Sequence, residues 1–551
     1  MLGRLLPLLG LLAGLAGAVA QAQTVPVPPE LVAQAPDDPD GRLGHVLRRG
    51  TLIVGVKTDY PPWGMLDIAG NAVGLEADLA RDLADRLEVG LELRPVTAGN
   101  RIGRVNQGQV DLVIATTGDT YERRLQADLL QPGYYSAGVV LYGRADLALG
   151  DWSALRGRPV CLNRGAYYNR ALEQDYGLDG QYFTGNRESR LALLYGRCVG
   201  WAFDDTILTR MVRDAPSDDL AVMKQAILVS PWVAVVARGE GERDLGRFVS
   251  DMIGEWHASG RILELQDKWD IPRTGFLEDK HALWSRRGED GRALCARQPE
   301  TGRFPAECLD PPPLRSVPAA QPPDWMQRLD EATGINLSVL ADAYDRGRLI
   351  RGLGLTLALA GMAIVGALTV GVVLGLLHVI LSGRGWIGRL LLLPQRLLVT
   401  VSRMTPPILQ LYIVFFGLGG VLANSGAFTP GAFVISTVIF SLYAGSTNTV
   451  ILSHALEHER GLHPDRPALR LLPMAIERGY DGLVASCVNI VKAAGMASAI
   501  AVGELISTVN LLVSEGADTR TLMNGLLLFY FLFVLGIVWL FGRAKSWLVR
   551  P

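Results

Sequence analysis

The chain of 551 residues has little net charge: 53 Lys and Arg oppose 55 Asp and Glu, a formal −2. Residues 1–323 carry 36 basic and 42 acidic groups, and residues 324–551 carry 17 and 13. Neither half is basic enough for nucleic acid. The chain has no G-x-x-x-x-G-K-S/T, so it cannot hold ATP by a P-loop. G-x-S-x-G and H-E-x-x-H are missing as well, and nothing resembles a catalytic centre. Cysteine is scarce, at five residues. Three histidines near one another (His454, His458, His463) have no carboxylate spacing that compels a metal site. No metal and no cofactor are expected. Long apolar runs are missing between residues 24 and 310, which makes that region soluble.

The composition points to a mixed architecture. Half the residues are hydrophobic (49%) and a fifth are charged (20%), with a mean hydropathy of +0.22. A soluble part joined to a membrane part fits these values, and at about 100–200 residues per domain the length allows three or four units. The N-terminus MLGRLLPLLGLLAGLAGAVAQAQ has one Arg, a short apolar core and an A-x-A site, the pattern of a signal peptide over residues 1–22. The alternative is an uncleaved anchor. Of the four cysteines that follow, Cys295 and Cys308 are near neighbours in a polar loop. That bridge is favoured, with Cys161–Cys198 as the second. Four free thiols are the alternative, which an oxidising compartment disfavours. The fifth, Cys487, reads as a packing residue.

Five runs approach the ~20 residues that cross a bilayer: roughly Gly352–Leu381, Met404–Ala423, Ala432–Ser453, Leu483–Val513 and Leu522–Phe541. An odd number of crossings after an exported N-terminus puts the C-terminus in the cytoplasm. The segments then predicted to lie inside carry ten Arg and Lys, and those outside carry four, in accord with the positive-inside rule. Residues 310–323 (DPPPLRSVPAAQPP) read as a stiff, extended linker.

The soluble region alternates strands and helices, as in a parallel α/β sheet. Thr51–Val56 is rich in β-formers, and Leu75, Leu79, Leu83 and Leu87 recur every four residues on one helix face. Two such blocks predict two lobes, and ligands of open parallel sheets sit at the carboxyl ends of strands. Those ends are DYPPW (which starts at Asp59), ATTGDTYERR, LNRGAYYN and AFDD.

VGVKTDYPPW, VGLEADLA, NRIGRVNQGQVDLVIATTGDTYERR, LLYGRCVGWAFDD and GRILELQDKW resemble, in family order, the family 3 extracellular solute-binding proteins, receptors for polar amino acids. The resemblance implies a type II clamp of two lobes over residues 45–280. Lobe 1 would span about 50–143 and 229–280, and lobe 2 about 144–228, with a disulfide-bearing linker over 281–323. It also implies that Arg123 grips the ligand's α-carboxylate and Asp204 its ammonium, with Arg124 and Asp205 as the alternatives. A planar guanidinium suits bidentate pairing. Tyr60 and Trp63 would pack on the ligand or serve as core. Gly118 stands where many members have a ligand-contacting Thr or Ser, which leaves backbone N–H groups and Thr116 or Thr117 to serve the carboxylate. Arg101 is a candidate for the ligand side chain, or for a salt bridge.

SRMTPPILQLYIVFFGL and VNIVKAAGMASAIAVGELI resemble the permeases of polar amino acid ABC transporters, over about residues 340–551. The resemblance implies an all-α five-helix domain in the bacterial inner membrane, paired as a homodimer, with a periplasmic binding domain and a separate ABC ATPase. Lys492 and Glu504 share one apolar run and are candidates for the transport path; on a straight helix twelve residues separate them by about 18 Å. Snorkelling and a helix–helix hydrogen bond are the alternatives. The family's ATPase-coupling E-A-A is replaced by Ala455-Leu456-Glu457, with Gly461 and Leu472-Pro473 kept, so coupling through Glu457 and Gly461 departs from the pattern. ATP-driven import by a fused receptor and permease is therefore the first reading. A tethered receptor that no longer couples to an ATPase is the second. A ligand-gated channel and a dehydratase-like enzyme on the same clamp rank below them, because all spans follow the completed clamp and an enzyme needs none.

Overall fold

A computed structural model describes residues 40–145, 151–214, 219–222, 225–289, 291–314, 322–424 and 430–548. The proposed signal peptide (1–22) and residues 315–321 of the linker lie outside the described residues.

The described residues open with helix Arg42–Arg49 and then β1 (Thr51–Val56), β2 (Asp59–Tyr60), β3 (Gly64–Leu66), β4 (Ala72–Val73), β5 (Gly90–Pro95), β6 (Leu112–Val113) and β7 (Asp128–Leu129). The second group is β8 (Tyr135–Arg144), β9 (Pro159–Asn163), β10 (Asp179–Phe183), β11 (Gly200–Asp204), β12 (Leu220–Val222) and β13 (Ile227–Trp232), before β14 (Val235–Val236) returns to the first. One sheet has the order β5-β1-β6-β14-β7; the other runs β10-β9-β11-β8-β12, with β13 also on β8. β1 is parallel to β5 and β6, and β9 to β10 and β11, as the alternation of strands and helices predicts. The leucine face of helix Leu75–Arg86 is buried: Leu75, Leu79 and Leu83 have no exposed surface.

Two expectations need correction. The sheets are mixed, not parallel throughout: β8 is antiparallel to β11, β12 and β13, and β14 to β6 and β7. These are the strands on which the chain passes from one lobe to the other and back. The lobe boundary also moves. Residues 135–143, expected in the first lobe, belong to β8, which is bonded on both sides within the second sheet, and β13 goes with it.

Disulfides join Cys161 to Cys198 and Cys295 to Cys308, the favoured pairing, and Cys487 is free and buried. Cys295 and Cys308 form a small core with Trp284, against which Phe304 and Leu283 pack. This satellite closes a 13-residue separation. A Cys295→Ala/Cys308→Ala chain is expected to lose about 3 kcal/mol of stability, measured as a lower unfolding midpoint in denaturant.

Among the described residues four helices are long and apolar enough to cross a membrane: Ala343–Ser382, Ala432–Leu462, Ala468–Ile500 and Thr519–Lys545. The pair Leu393–Met404 and Pro407–Leu422, bent by 112°, makes a fifth if taken as one broken span. Helices Ala343–Ser382 and Ala432–Leu462 touch through small residues. A Cβ on Gly366 or Gly371 would lie 2.2 Å from Ser441 Oγ or 2.5 Å from Asn448 Cβ, so their backbones approach closely.

Two of the predicted spans are not straight helices. The run expected from Met404 begins at a bend where Thr405 is extended ahead of Pro406, because proline excludes helix from the residue before it. The run Leu483–Val513 divides at a left-handed Ala501 (φ 62°) into helix Ala468–Ala493, with a 3-10 turn Ala494–Ile500, and a separate helix Leu505–Glu515. Glu504 is not a mid-helix charge. It is the N-cap, accepting from the backbone N–H of Ile506 and Ser507 at 2.8 Å each. It is fully buried, whereas Lys492 is exposed near the end of the preceding helix. The break overturns the straight-helix separation expected for this pair.

The lobe carrying β9–β11 is bonded to these helices. Arg170 donates to Asp342 (2.7 Å) and Asp345 (3.0 Å), Arg197 to the carbonyls of Phe415 (2.7 Å) and Pro430 (3.1 Å), and Arg164 to Ser507 Oγ (3.0 Å).

Candidate functional site

The site lies where strands end. β1 runs into Lys57 and Tyr60, β6 into Thr116, β9 into Asn163 and Arg164, and β11 ends on Asp204. Their side chains, with Arg101, Arg123, Tyr167 and Tyr168, line one cavity between the lobes. Its volume is about 30 Å³, well below the several hundred Å³ of typical small-molecule sites. The polar groups are turned on one another and fill the space. Tyr60 donates to Asp204 Oδ2 across the lobes at 2.5 Å. Arg123 donates to Gly118 O (2.8 Å) in its own lobe and to Gly165 O (2.9 Å) in the other. The lobes meet closely at Gly165, whose φ is +81° and whose Cβ would lie 2.9 Å from the backbone of Ala98.

Of the residues expected to bind, Tyr60, Arg101, Thr116, Arg123 and Asp204 line this cavity. Arg124 does not; it forms a bidentate pair with Asp119. Asp205 accepts from Gly138 N–H instead (3.3 Å). Four expected residues are turned away. Asp59 is exposed and pairs with Lys57 at 3.1 Å. Trp63 is core, edge-on to Tyr60, Tyr135 and Trp232. Thr117 is fully buried with its hydroxyl on Ala115 O (3.3 Å). Gly118 lies under Tyr167, whose ring would be 2.9 Å from a Cβ there. A side chain at position 118 would displace Tyr167, which accounts for the missing Thr or Ser. The residues not foreseen are Lys57, Asn163, Arg164, Tyr167 and Tyr168. The last four belong to LNRGAYYN, already recognisable as the carboxyl end of a strand.

Burial sets the electrostatics. Desolvation pushes the Asp204 carboxyl up to about 6, against the Tyr60 hydrogen bond that favours its charge. Arg123 is pushed down to about 9, first by burial and then by the like charge of Arg101. Behind the cavity Glu76 accepts from Thr116 N–H (2.6 Å) and the Tyr134 hydroxyl (2.6 Å), and burial lifts it to about 7. The cavity thus presents cationic donors from both lobes and one carboxylate, Asp204, which suits binding of a polar zwitterion.

Residues 52–271 match the bacterial extracellular solute-binding proteins, family 3. The glutamine-binding protein of Geobacillus stearothermophilus is 30% identical over 181 residues, 32% of this chain and 69% of that protein. The chain belongs to the family 3 solute-binding proteins. The L-cystine-binding protein TcyJ of Escherichia coli (strain K12) is 28% identical over 232 residues, 42% of this chain and 86% of TcyJ. The L-glutamate/L-aspartate-binding protein of Pseudomonas aeruginosa is 25% identical over 257 residues, 44% of this chain and 84% of that protein. These relatives of the family 3 domain are solute-binding proteins, not enzymes. The domain is a type II clamp, and the helical region that follows it, with four or five candidate spans, fits a fused permease.

Proposed function

We propose that the chain imports a polar amino acid across the bacterial cytoplasmic membrane, as receptor and permease in one polypeptide. ATP is hydrolysed on a separate chain. The observation that carries this reading is the presence of Arg123 and Asp204 in the lining of one buried cavity, in a clamp bonded to its own apolar helices. Arg123 takes the α-carboxylate and Asp204 the ammonium. On entry the ligand replaces the bonds from Arg123 to Gly118 and Gly165 and the contact of Tyr60 with Asp204. The relatives' ligands share the amino acid head group that these two residues address. Tethering turns the encounter of receptor and permease into an intramolecular one. The clamp faces the periplasm and the C-terminus the cytoplasm. The exposed apolar side chains Leu527, Leu528, Phe531, Leu532 and Leu535 meet lipid or the second copy of a homodimer.

The second reading, a receptor without a pump, has one observation in its favour. Helix Ala432–Leu462 turns at residues 463–467 straight into helix Ala468–Ala493, with no separate docking helix between them. Glu457 and Gly461 lie exposed on its last turns.

Binding is tested on the full chain in detergent by thermal shift against the twenty amino acids. A ligand at about a hundred times its Kd should stabilise the clamp by about 2.7 kcal/mol. Reconstitution with an ABC ATPase in proteoliposomes then decides between the readings. Uptake that needs ATP supports import; binding without uptake supports the receptor.

A further inference from the structure

Two cavities share a wall. The amino acid cavity and a second, polar one of about 880 Å³ are both lined by Ala98, Arg164 and Thr184. The second lies between the clamp and the membrane helices. Asn100, Arg104 and Gln126 line it from the clamp, and Asn510, Ser514 and Arg520 from the helices. Its size is within the range of about 300–1,000 Å³ that admits a small molecule. Of the shared residues, Ala98 and Thr184 are short. Arg164 is the one whose side chain is long enough to fill or clear a passage.

The backbone of Arg164 is fixed. Its N–H donates to Phe183 O (2.9 Å), and the next carbonyl, Gly165 O, takes Arg123. Movement is left to the side chain. Among the described residues that side chain donates to Ser507 Oγ (3.0 Å), on helix Leu505–Glu515, and its Nε is buried without a partner. Burial pushes its pKa down, and the charge of Glu504 works against that. Glu504 caps the same helix through Ser507 N–H (2.8 Å), so one turn holds both the helix start and the guanidinium. That turn belongs to the membrane domain: Leu505 N–H donates to Thr356 Oγ1 (2.9 Å) of helix Ala343–Ser382. Neither Ser507 nor Glu504 lines either cavity. A guanidinium has five donors, and one so sparsely bonded follows its acceptor when that acceptor moves.

We propose that Arg164 is a gate between the amino acid cavity and this vestibule, latched shut by Ser507 and Glu504 of the membrane domain. The proposal rests on the reading of the cavity as an amino acid site. Displacement of helix Leu505–Glu515 takes Ser507 away, Arg164 swings out, and the amino acid passes toward the membrane helices. Ser507 and Glu504 are positioning residues, acting through Arg164. A gate sets rates and not the equilibrium, because an opened passage serves entry and exit alike.

The test is exchange of a radiolabelled mixture of the protein amino acids with L-cystine, bound to the full chain in detergent and chased with the unlabelled mixture. Ser507→Ala is expected to speed binding and release alike by at least about tenfold, with Kd within about threefold. Arg164→Ala does the same. Ser507→Thr, which keeps the hydroxyl, exchanges at the wild-type rate. A merely structural defect would speed release alone and weaken affinity. Asn510→Cys, alkylated with a bulky maleimide, is expected to slow the exchange of Ser507→Ala by plugging the vestibule; Cys487 is buried and the other cysteines are in disulfides. If Arg164→Ala fails to fold, Ser507→Ala decides. Exchange at the wild-type rate in Ser507→Ala, faster release with affinity lost, or exchange indifferent to the plug overturns the proposal. No label bound by the wild type overturns the receptor reading itself, and this proposal with it.

Discussion

Asp204→Asn is expected to weaken amino acid binding by about 10²–10³-fold, because removing one partner of a buried charge pair costs 2–5 kcal/mol. The fold should survive. The Tyr60 hydroxyl that donates to Asp204 Oδ2 at 2.5 Å can donate equally to an Asn oxygen. The effect should have its own pH signature. The Asp204 carboxyl is raised to about 6 from an ordinary 3.8. Without ligand, the folded chain therefore keeps a proton that the unfolded chain releases. That contribution to stability is present at low pH and is lost as pH rises from about 4 to about 6. Binding runs the other way. The ammonium requires the ionised carboxylate, so affinity is full above about pH 6 and falls up to about tenfold per pH unit below it. Titration calorimetry between pH 5 and 8 should show that slope in the wild type and none in Asp204→Asn, which has no proton to lose. A variant that binds as tightly as the wild type would remove Asp204 from the site.

The clamp was legible in the sequence because local rules and global fold agree there. The leucine face of helix Leu75–Arg86, the β-rich Thr51–Val56 and the strand ends all lie where period and composition placed them. Arg123 and Asp204 were within reach because the residues around them resemble a known pattern. Four things were not legible, each for a physical reason. Whether Trp63 faces ligand or core depends on Tyr135 and Trp232, which are distant in sequence. The place of Gly118 depends on the approach of Tyr167 from the other lobe, and the Thr117 hydroxyl turns back on the Ala115 carbonyl. An apolar run, finally, does not show where it breaks. Leu483–Val513 reads as one span by hydropathy, yet Ala501 adopts a left-handed conformation, and Glu504 is tolerated in an apolar stretch because it caps a new helix. The bond between lobe and helices was equally hidden. Arg164, Arg170 and Arg197 look like ordinary surface charges until the helices are brought against them.

Those arginines carry the second large effect. Arg170 sits between Asp342 (2.7 Å) and Asp345 (3.0 Å), and all three side chains are nearly buried, at 14%, 10% and 13% exposure. Arg348 extends the network from Asp345 (3.3 Å) to Glu515 (2.7 Å) at the end of the helix that Glu504 caps. At a separate contact of the same lobe Arg197 stacks on the Phe415 ring at 4.3 Å, where Gly419 and Gly420 leave room for Arg197 and Tyr195. Removing Arg170 leaves Asp342 to its helix-capping N–H groups and Asp345 to Arg348, and breaking a buried pair from one side costs up to about 3–5 kcal/mol. Arg170→Ala is therefore expected to release the lobe from the helices. Hydrogen exchange should rise in residues 164–173 and 505–515, and reconstituted uptake should fall by at least about tenfold. Amino acid affinity should stay within about threefold, since Arg170 does not line the cavity. Asp342 is a poor place to probe the pair from the other side, because its carboxylate also caps its helix at Tyr344 N–H (2.9 Å) and Asp345 N–H (3.1 Å). Asp345→Asn serves better, and a double-mutant cycle with Arg170→Ala isolates the coupling from each residue's other contacts. Uptake unchanged in Arg170→Ala would mean that this contact has no part in transport. Uptake lost with binding intact would make the Arg170 network the joint through which a closed clamp acts on the membrane helices.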